Sequence, residues 1–196
     1  LKAGPISLRG TSEFALSRWT VDVDTNGDGT AELLNAQLDT VALSSSGVTV
    51  EVSDVARLSV SGTLGLAQIT PEGGSAASYA ALVLGDVVVS SSTTLGSFAL
   101  TGDLEIDYLG YNYAAGDLDR LDWNDSVDFE GDSDLDTLDP GVLLTDPVDL
   151  AIEFESGLHY VVRGSVTGTG VNGTATDELL KAGPISLRGT SEFALS

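Results

Sequence analysis

LSVSGTLGL, the stretch Leu58–Leu66, shows the pattern that decides the fold of this chain. Large apolar residues alternate there with small or polar ones, which is the pattern of a β-strand because successive side chains point to opposite faces. Gly62 falls in the series of the apolar residues, where a glycine weakens a strand unless the strand bends, bulges or lies close to another backbone. The stretch therefore predicts a long, curved strand.

The same pattern returns at three other places in the chain. These are Phe98, Leu100, Gly102, Leu104 and Ile106; Ile6, Leu8, Gly10, Phe14 and Leu16; and Ile185, Leu187, Gly189, Phe193 and Leu195. Helical periodicity is weak, and its best example, Thr30–Leu38, is short enough to be interpreted as a strand. The chain is predicted to be all-β, an antiparallel β-sandwich or flattened barrel with long curved strands that wrap a core. Uneven spacing of the glycines disfavours a short-period β-helix and leaves an irregular β-solenoid as the alternative.

The two ends of the chain are identical. Leu1–Ser17 recurs letter for letter as Leu180–Ser196. An old duplication would have diverged, so the repeat is recent, copied continually or engineered. We interpret it as a tandem array, in which 1–179 is one β-rich unit and 180–196 is the first strand of the next. A cloning artefact or a tag repeat is the alternative.

The duplicated segment itself has the pattern of a core-facing strand, so that strand exists twice in the chain. We therefore expect neighbouring copies of the unit to be its partners, linked by strand exchange or strand addition. Units joined covalently like beads on a string are the simpler alternative. The predicted inter-unit strand comprises Ile6, Leu8, Gly10, Phe14 and Leu16 in one copy and Ile185, Leu187, Gly189, Phe193 and Leu195 in the other.

Composition limits the function. The net charge of −22 repels nucleic acid and anionic membranes and favours divalent cations. The chain has no cysteine, which excludes disulfides, a thiol nucleophile and zinc–thiolate sites. The longest apolar run, around 80–89, is too short for a membrane-spanning helix, and we expect no membrane insertion.

One segment carries a sharp motif for chemistry. Side-chain oxygens stand at positions one, three, five and nine of a loop, at Asp24, Asn26, Asp28 and Glu32, and position six is a glycine. A tight loop of this kind turns several oxygens onto one Ca²⁺, and the carbonyl of Thr30 adds a ligand. The cofactor predicted here is calcium, and the alternative is a hairpin turn without metal.

A second acidic region follows at 117–139, which we call the acidic segment. Its ten acidic residues face one arginine and are interleaved with apolar ones, which is typical of a long flap fixed by its aromatic side chains. Weaker calcium ligands are Asp132, Asp134 and Asp136 within it, and Asp22 before the first loop. A solvated acidic face is an equally good interpretation of the three.

The loop 24–32 resembles the D-x-N-G-D-G-x-x-[DE] calcium loops of FG-GAP/VCBS-type and other bacterial extracellular repeats. As a whole, the chain resembles giant acidic tandem-repeat surface proteins of bacteria, such as the extender regions of RTX-type adhesins. The resemblance rests on exact repetition, acidity, lack of cysteine and the β-pattern. It implies a structural unit of an extracellular or cell-surface fibre, filament or adhesin stalk that calcium stabilises.

Other residues give weaker signals. His159 is the only histidine and has no obvious partner for a triad or a histidine metal site, so we expect no enzyme. Trp19, Trp123 and the tyrosines at 108, 111 and 113 could stack on sugars, although such residues more often pack in cores. An extracellular carbohydrate-binding module or polysaccharide-active enzyme, with polysaccharide as partner, is the alternative function.

Overall fold

A computed structural model of the chain describes most of its residues. The described ranges are 2–3, 6–52, 56–73, 78–95, 98–129, 135–167, 178–182, 185–188 and 190–195. Three residues of the sequence predictions, Asp132, Asp134 and Gly189, lie outside these ranges. Side chains are described for fewer residues than the backbone is, and those of the inter-unit residues Ile6, Leu8, Ile185, Leu187, Phe193 and Leu195 are not among them.

The described ranges form twelve strands and one short 3₁₀ helix, and contain no α-helix. The strands are β1 Lys2–Ala3, β2 Ile6–Arg9, β3 Ser12–Val23, β4 Leu33–Val52, β5 Ala56–Thr70, β6 Tyr79–Leu95, β7 Phe98–Ala114, β8 Val127–Asp128, β9 Tyr160–Thr167, β10 Glu178–Ala182, β11 Ile185–Arg188 and β12 Thr190–Leu195; the 3₁₀ helix is Pro140–Leu143. Within this part of the chain, no helix has the length and apolar character needed to cross a membrane.

All twelve strands belong to one curled antiparallel sheet. Its main path runs β1-β2-β4-β5-β6-β7-β10-β11, and β3 pairs with β4 while β9 pairs with β7 and β12. Consecutive long strands from β3 to β7 pair with one another, so each face of the sheet continues from strand to strand. The prediction of an all-β fold with long, curved antiparallel strands is confirmed, and Thr30–Leu38 does contribute the beginning of β4.

A second layer covers one end of the inner face of the sheet. This covering segment, 115–159, contains β8 and the 3₁₀ helix. Its buried side chains and those of the sheet form one hydrophobic cluster, to which β3–β6 contribute Val21, Val23, Ala36, Leu38, Ala42, Ala67, Ile69, Tyr79, Ala81 and Val83, and the covering segment contributes Leu121, Trp123, Val127, Leu138, Leu144, Leu150, Ile152 and Phe154. The acidic segment is therefore part of the core as well as of the surface.

The sheet meets this layer through small residues. A Cβ atom added at Gly65 would lie 3.2 Å from Cβ of Leu150, and one added at Gly110 would lie 2.9 Å from the ring of Phe154. Small residues on the sheet let the large side chains of the covering segment approach the backbone closely, as close packing requires.

This packing corrects the expectation about which face is buried. Leucines, phenylalanine and glycines in the alternating pattern were expected to face the core. In β5, Gly65, Ala67 and Ile69 are buried instead, and in β3, Phe14 and Leu16 are 69% and 67% exposed on the outer face. In these two strands, the residues of the opposite parity to the predicted series therefore face the core.

Bulges line up across the sheet. The registers shift between Ser45 and Val48 of β4, between Ser61 and Thr63 of β5, and between Ile106 and Tyr108 of β7. Gly62 lies on this line with φ of 137°, and a Cβ there would lie 2.7 Å from Cα of Val87. Glycine was predicted where a strand bulges or approaches another backbone, and Gly62 fulfils both conditions.

Candidate metal centre

The predicted calcium loop joins β3 to β4 at the covered end of the sheet. Its start is held from two sides. Val23, the last residue of β3, pairs with Val127 of β8, and the Asp24 N–H donates to the Ser126 carbonyl over 3.0 Å. On the other side, the Glu32 N–H donates to the Val23 carbonyl over 3.0 Å. The loop is therefore anchored to both layers of the fold.

The loop winds around the carboxylate of Asp24, which is only 3% exposed. Its Oδ1 accepts the N–H groups of Asn26 at 3.0 Å and Gly27 at 2.7 Å, and its Oδ2 accepts that of Gly29 at 2.6 Å. Gly27 and Gly29 have φ of 76° and 84°, in the left-handed region that glycine adopts without steric cost. Both glycines of the motif are thus required by the turn.

These hydrogen bonds decide the charge of Asp24. Burial alone would raise its pKa, but the backbone N–H groups of Gly29, Gly27, Asn26 and Asp28 outweigh burial and lower the pKa below its usual range. A carboxylate that accepts several backbone N–H groups is stabilised in its charged form. Asp24 is therefore a negative charge fixed at the base of the loop.

Two further carboxylates converge on Asp24. Ligand oxygens of Asp24, Asp28 and Glu32 all lie within 4.8 Å of one another, close enough to bind one metal ion. Glu32 folds back over the loop, where its Oε2 accepts the Thr25 N–H at 2.7 Å and its Oε1 accepts Nδ2 of Asn26 at 2.8 Å. Carboxylates at such distances repel one another, and the attraction of a bound cation for each of them offsets this repulsion.

The remaining predicted ligands lie around this cluster. Asn26 contributes to it indirectly, since its Oδ1 accepts the Asp28 N–H at 2.8 Å, and the Thr30 N–H donates to Oδ1 of Asp28 at 2.9 Å. Of the four weaker candidates the structure describes two, and one of these, Asp22, lines the same cleft as Asp24. Asp22 accepts the Asn35 N–H at 2.8 Å, and Asp136 accepts the Phe129 N–H at 2.9 Å. The cluster that could hold a metal therefore consists of Asp24, Asp28 and Glu32.

Sequence reasoning did not single out Asp128. It is 7% exposed, it pairs with Asp22 between β8 and β3, and it lines a cleft of about 390 Å³ together with Asp24, Gly29 and Thr30. The alternation of acidic and apolar residues in the acidic segment was visible in the sequence. Only the pairing of β8 with β3, however, brings this acid beside the loop.

A buried polar contact fixes the covering segment behind the loop. Trp123 is fully buried, and its Nε1 donates to Oδ1 of Asn112 on β7 at 3.1 Å. Nδ2 of Asn112 donates in turn to the Leu121 carbonyl at 2.9 Å. The two side chains satisfy each other in the core, so the tryptophan fixes the segment that carries Ser126 and β8.

Aromatic side chains also gather away from the loop, at the β7–β9 side. The rings of Tyr111 and Tyr113 stack with centroids 6.3 Å apart, and His159 lies 5.8 Å from Tyr111 and 5.7 Å from Tyr160. Tyr113 and Tyr160 are 41% and 44% exposed. The histidine therefore belongs to an aromatic surface cluster.

No protein-family model, curated protein or solved structure matches the chain.

Proposed function

We propose that this chain is the structural repeat unit of an extracellular bacterial surface fibre, filament or adhesin stalk that calcium stabilises, without catalytic activity of its own. Neighbouring copies of the unit are its partners. The observation that supports the proposal is the placement of the two identical end segments, which share one hairpin pairing and lie at the two ends of one sheet.

The two copies have the same internal pairing. β1 and β2 pair through Lys2 with Ser7 and Ala3 with Ile6, and β10 and β11 pair through the equivalent residues, Lys181 with Ser186 and Ala182 with Ile185. Yet the first copy pairs with β4 and the second with β7 and β9. A segment that fits both ends of one sheet suits a unit that is followed by another of its kind.

Calcium is the cation that suits the loop best. The cluster offers only oxygen ligands, two of its three acids are exposed, and the loop adds an amide side chain and backbone carbonyls. Calcium takes six to eight oxygens in flexible geometry, whereas magnesium demands a stricter octahedron. In a chain with net charge −22, bound calcium also reduces self-repulsion. Extracellular calcium-binding modules have Kd values of about 10⁻⁴–10⁻³ M.

The proposal is tested by thermal unfolding of the full chain with chelator and with millimolar Ca²⁺, combined with light scattering for particle size. Binding at a hundredfold excess over Kd stabilises by about 2.7 kcal/mol. For a domain of this size, we expect a rise in Tm of about 5–10 °C. Growth into long particles would indicate assembly of separate chains, and a rise without growth a calcium-bound stalk unit.

The control for calcium is a matched pair of variants. Asp28→Asn removes one carboxylate from the cluster, and Glu72→Gln removes one exposed acid in the β5–β6 turn. Both change the net charge by one unit. The calcium response should be lost in Asp28→Asn and kept in Glu72→Gln. Equal responses in the two variants, or no response in the unmodified chain, would refute the calcium site.

The aromatic surface cluster favours a second candidate function, carbohydrate binding. Exposed, stacked rings are the side chains on which sugar rings lie. Retention of the chain on a polysaccharide column, abolished by Tyr113→Ala and unaffected by Trp19→Ala, would favour this function over the structural one.

A further inference from the structure

We propose that the β-sheet passes without interruption from one unit to the next, because the open edge of β3 is built to pair with β9 of the preceding unit. This inference rests on the proposed function as an array. It replaces strand exchange by continuation of one sheet along the covalent chain, and it defines the register of the junction.

The pairing of the second copy with β9 is the basis for the proposed junction. If 180–196 begins the next unit, β12 is the first part of that unit's β3, and β12 pairs with β9 over its whole length. Phe193 lies opposite Gly164 and Leu195 opposite Val162. The equivalent residues of the first copy, Phe14 and Leu16, would take these places against the preceding unit.

The pairing uses the edge of β3 that is open in this chain. β9 and β10 both pair with the edge of β7 that faces away from β6. β12 pairs with the far edge of β9 and β11 with the far edge of β10, so β11 and β12 lie on the same side of β7. In the first copy, β1 corresponds to β10 and β2 to β11. One edge of β2 pairs with β1, as β11 pairs with β10, and the opposite edge of β2 pairs with β4. Because the two copies are identical, β9 of a preceding unit would pair with β3 on the edge opposite β4. β9 and β4 therefore do not compete for the same edge of β3.

Two rows of strands give the same repeat. Along the half of the sheet that carries the core, the order is β3-β4-β5-β6-β7-β9, followed by β12 as the next β3. Along the other half, the order is β1-β2-β4-β5-β6-β7, followed by β10 as the next β1. Both rows repeat after six strands, and every pairing along them is antiparallel. A junction that fitted only one row would leave the strands of the other row unpaired between units.

The side chains at the open edge support the same partner. Phe14 and Leu16 are the two most exposed large apolar side chains among the described residues. Among those residues, Ser12–Ser17 has no strand partner besides β4. Opposite Phe14 the junction places Gly164, and an aromatic ring beside a cross-strand glycine covers the backbone that the glycine leaves bare. An exposed strand edge with apolar residues would otherwise invite aggregation.

The test uses cysteine pairs in the full 196-residue chain, which has no cysteine of its own. Ser165 lies opposite Glu192, so Ser165→Cys with Glu192→Cys places two thiols within disulfide distance. The control is Ser165→Cys with Ser191→Cys, whose side chains point to opposite faces. A third chain carries Ser165→Cys with Glu13→Cys, the residue equivalent to Glu192. Mild oxidation is followed by non-reducing electrophoresis and peptide mapping.

We expect an intramolecular disulfide in the first chain, little in the control and none within single molecules of the third. An intramolecular 165–13 disulfide would overturn the proposal, since β9 would then close on its own unit. A disulfide of the first pair that joins two chains would overturn it in favour of strand exchange, and absence of any disulfide in favour of beads on a string. The calcium response of the same chains reports separately on the proposed function.

Discussion

The hydrogen bonds of Asp24 hold the loop in its turn conformation without a cation. The Asp24 carboxylate accepts three backbone N–H groups and is nearly inaccessible to solvent, so it organises the turn that brings Asp28 and Glu32 beside it. The residue that organises the turn therefore also belongs to the cluster that could hold a metal ion. Asp28 and Glu32 each accept one backbone N–H group of the loop, whereas Asp24 accepts three and is buried.

A pH prediction follows from the lowered pKa of Asp24. The pKa is lower in the folded state than in the unfolded chain, so the stabilisation is complete above the unfolded value and is lost as pH falls through the folded one. Hydrogen bonds to a charged group contribute about 1.5–3 kcal/mol. In chelator, Asp24→Asn should lower the free energy of unfolding by about that amount at pH 7, and the difference should shrink below about pH 4.

Urea unfolding of both chains from about pH 7 to about pH 3 measures this difference. The low pKa of Asp39, held down by its hydrogen bond from Arg18, acts in the same direction in both chains and cancels in the comparison. A difference that is constant over the whole pH range would show that Asp24 acts through packing and not through its charge.

At the scale of elements, sequence patterns predicted the strands better than their faces. Alternation identified β5 and β7, and the motif located the loop between β3 and β4, because both depend on neighbours in sequence. The buried face depended on the covering segment, whose Leu150 and Phe154 need the space above Gly65 and Gly110. That space is a property of two distant segments together, and no local pattern contains it.

The packing of the covering segment on the sheet should depend on Trp123. Trp123→Phe leaves Oδ1 of Asn112 without its buried donor and opens a cavity, and we expect a loss of about 2–4 kcal/mol in the free energy of unfolding. Trp19→Phe is the matched control, because Trp19 is 45% exposed. Chemical denaturation compares the two. A loss in Trp19→Phe as large as in Trp123→Phe would contradict the assigned core.

The line of bulges makes a prediction of its own. Gly62→Ala puts a Cβ within 2.7 Å of the backbone of β6 at a φ of 137°, so neither space nor backbone conformation accepts it. We expect a loss of at least about 1–3 kcal/mol. Gly157→Ala, where an added Cβ meets nothing within 4 Å, should change the free energy of unfolding by less than about 0.5 kcal/mol. Thermal or urea unfolding distinguishes the two variants.

On the scale of the whole molecule, the repeated ends of the chain are visible in the sequence, but their places in the sheet are not. The proposal of an array rests on the sequence alone, since the identity of Leu1–Ser17 and Leu180–Ser196 is visible without a structure. The sequence could not predict which edge of the duplicated strand is free, because that follows from where β1, β4 and β9 lie in the sheet. The position of Asp128 beside the loop was hidden for the same reason, as it needs the pairing of β8 with β3.

A net charge of −22 should make the molecule sensitive to ions in two separable ways. Screening by monovalent salt weakens long-range repulsion between exposed charges, so in chelator the Tm should rise gradually as NaCl increases from about 0.01 M to about 0.5 M. Binding to Asp24, Asp28 and Glu32 should instead raise the Tm at millimolar Ca²⁺ against a constant background of salt. Asp28→Asn should therefore keep the rise with NaCl and lose the rise with Ca²⁺. If NaCl at equal ionic strength reproduces the whole effect of Ca²⁺ in the unmodified chain, the cation acts by screening alone and the loop is a turn.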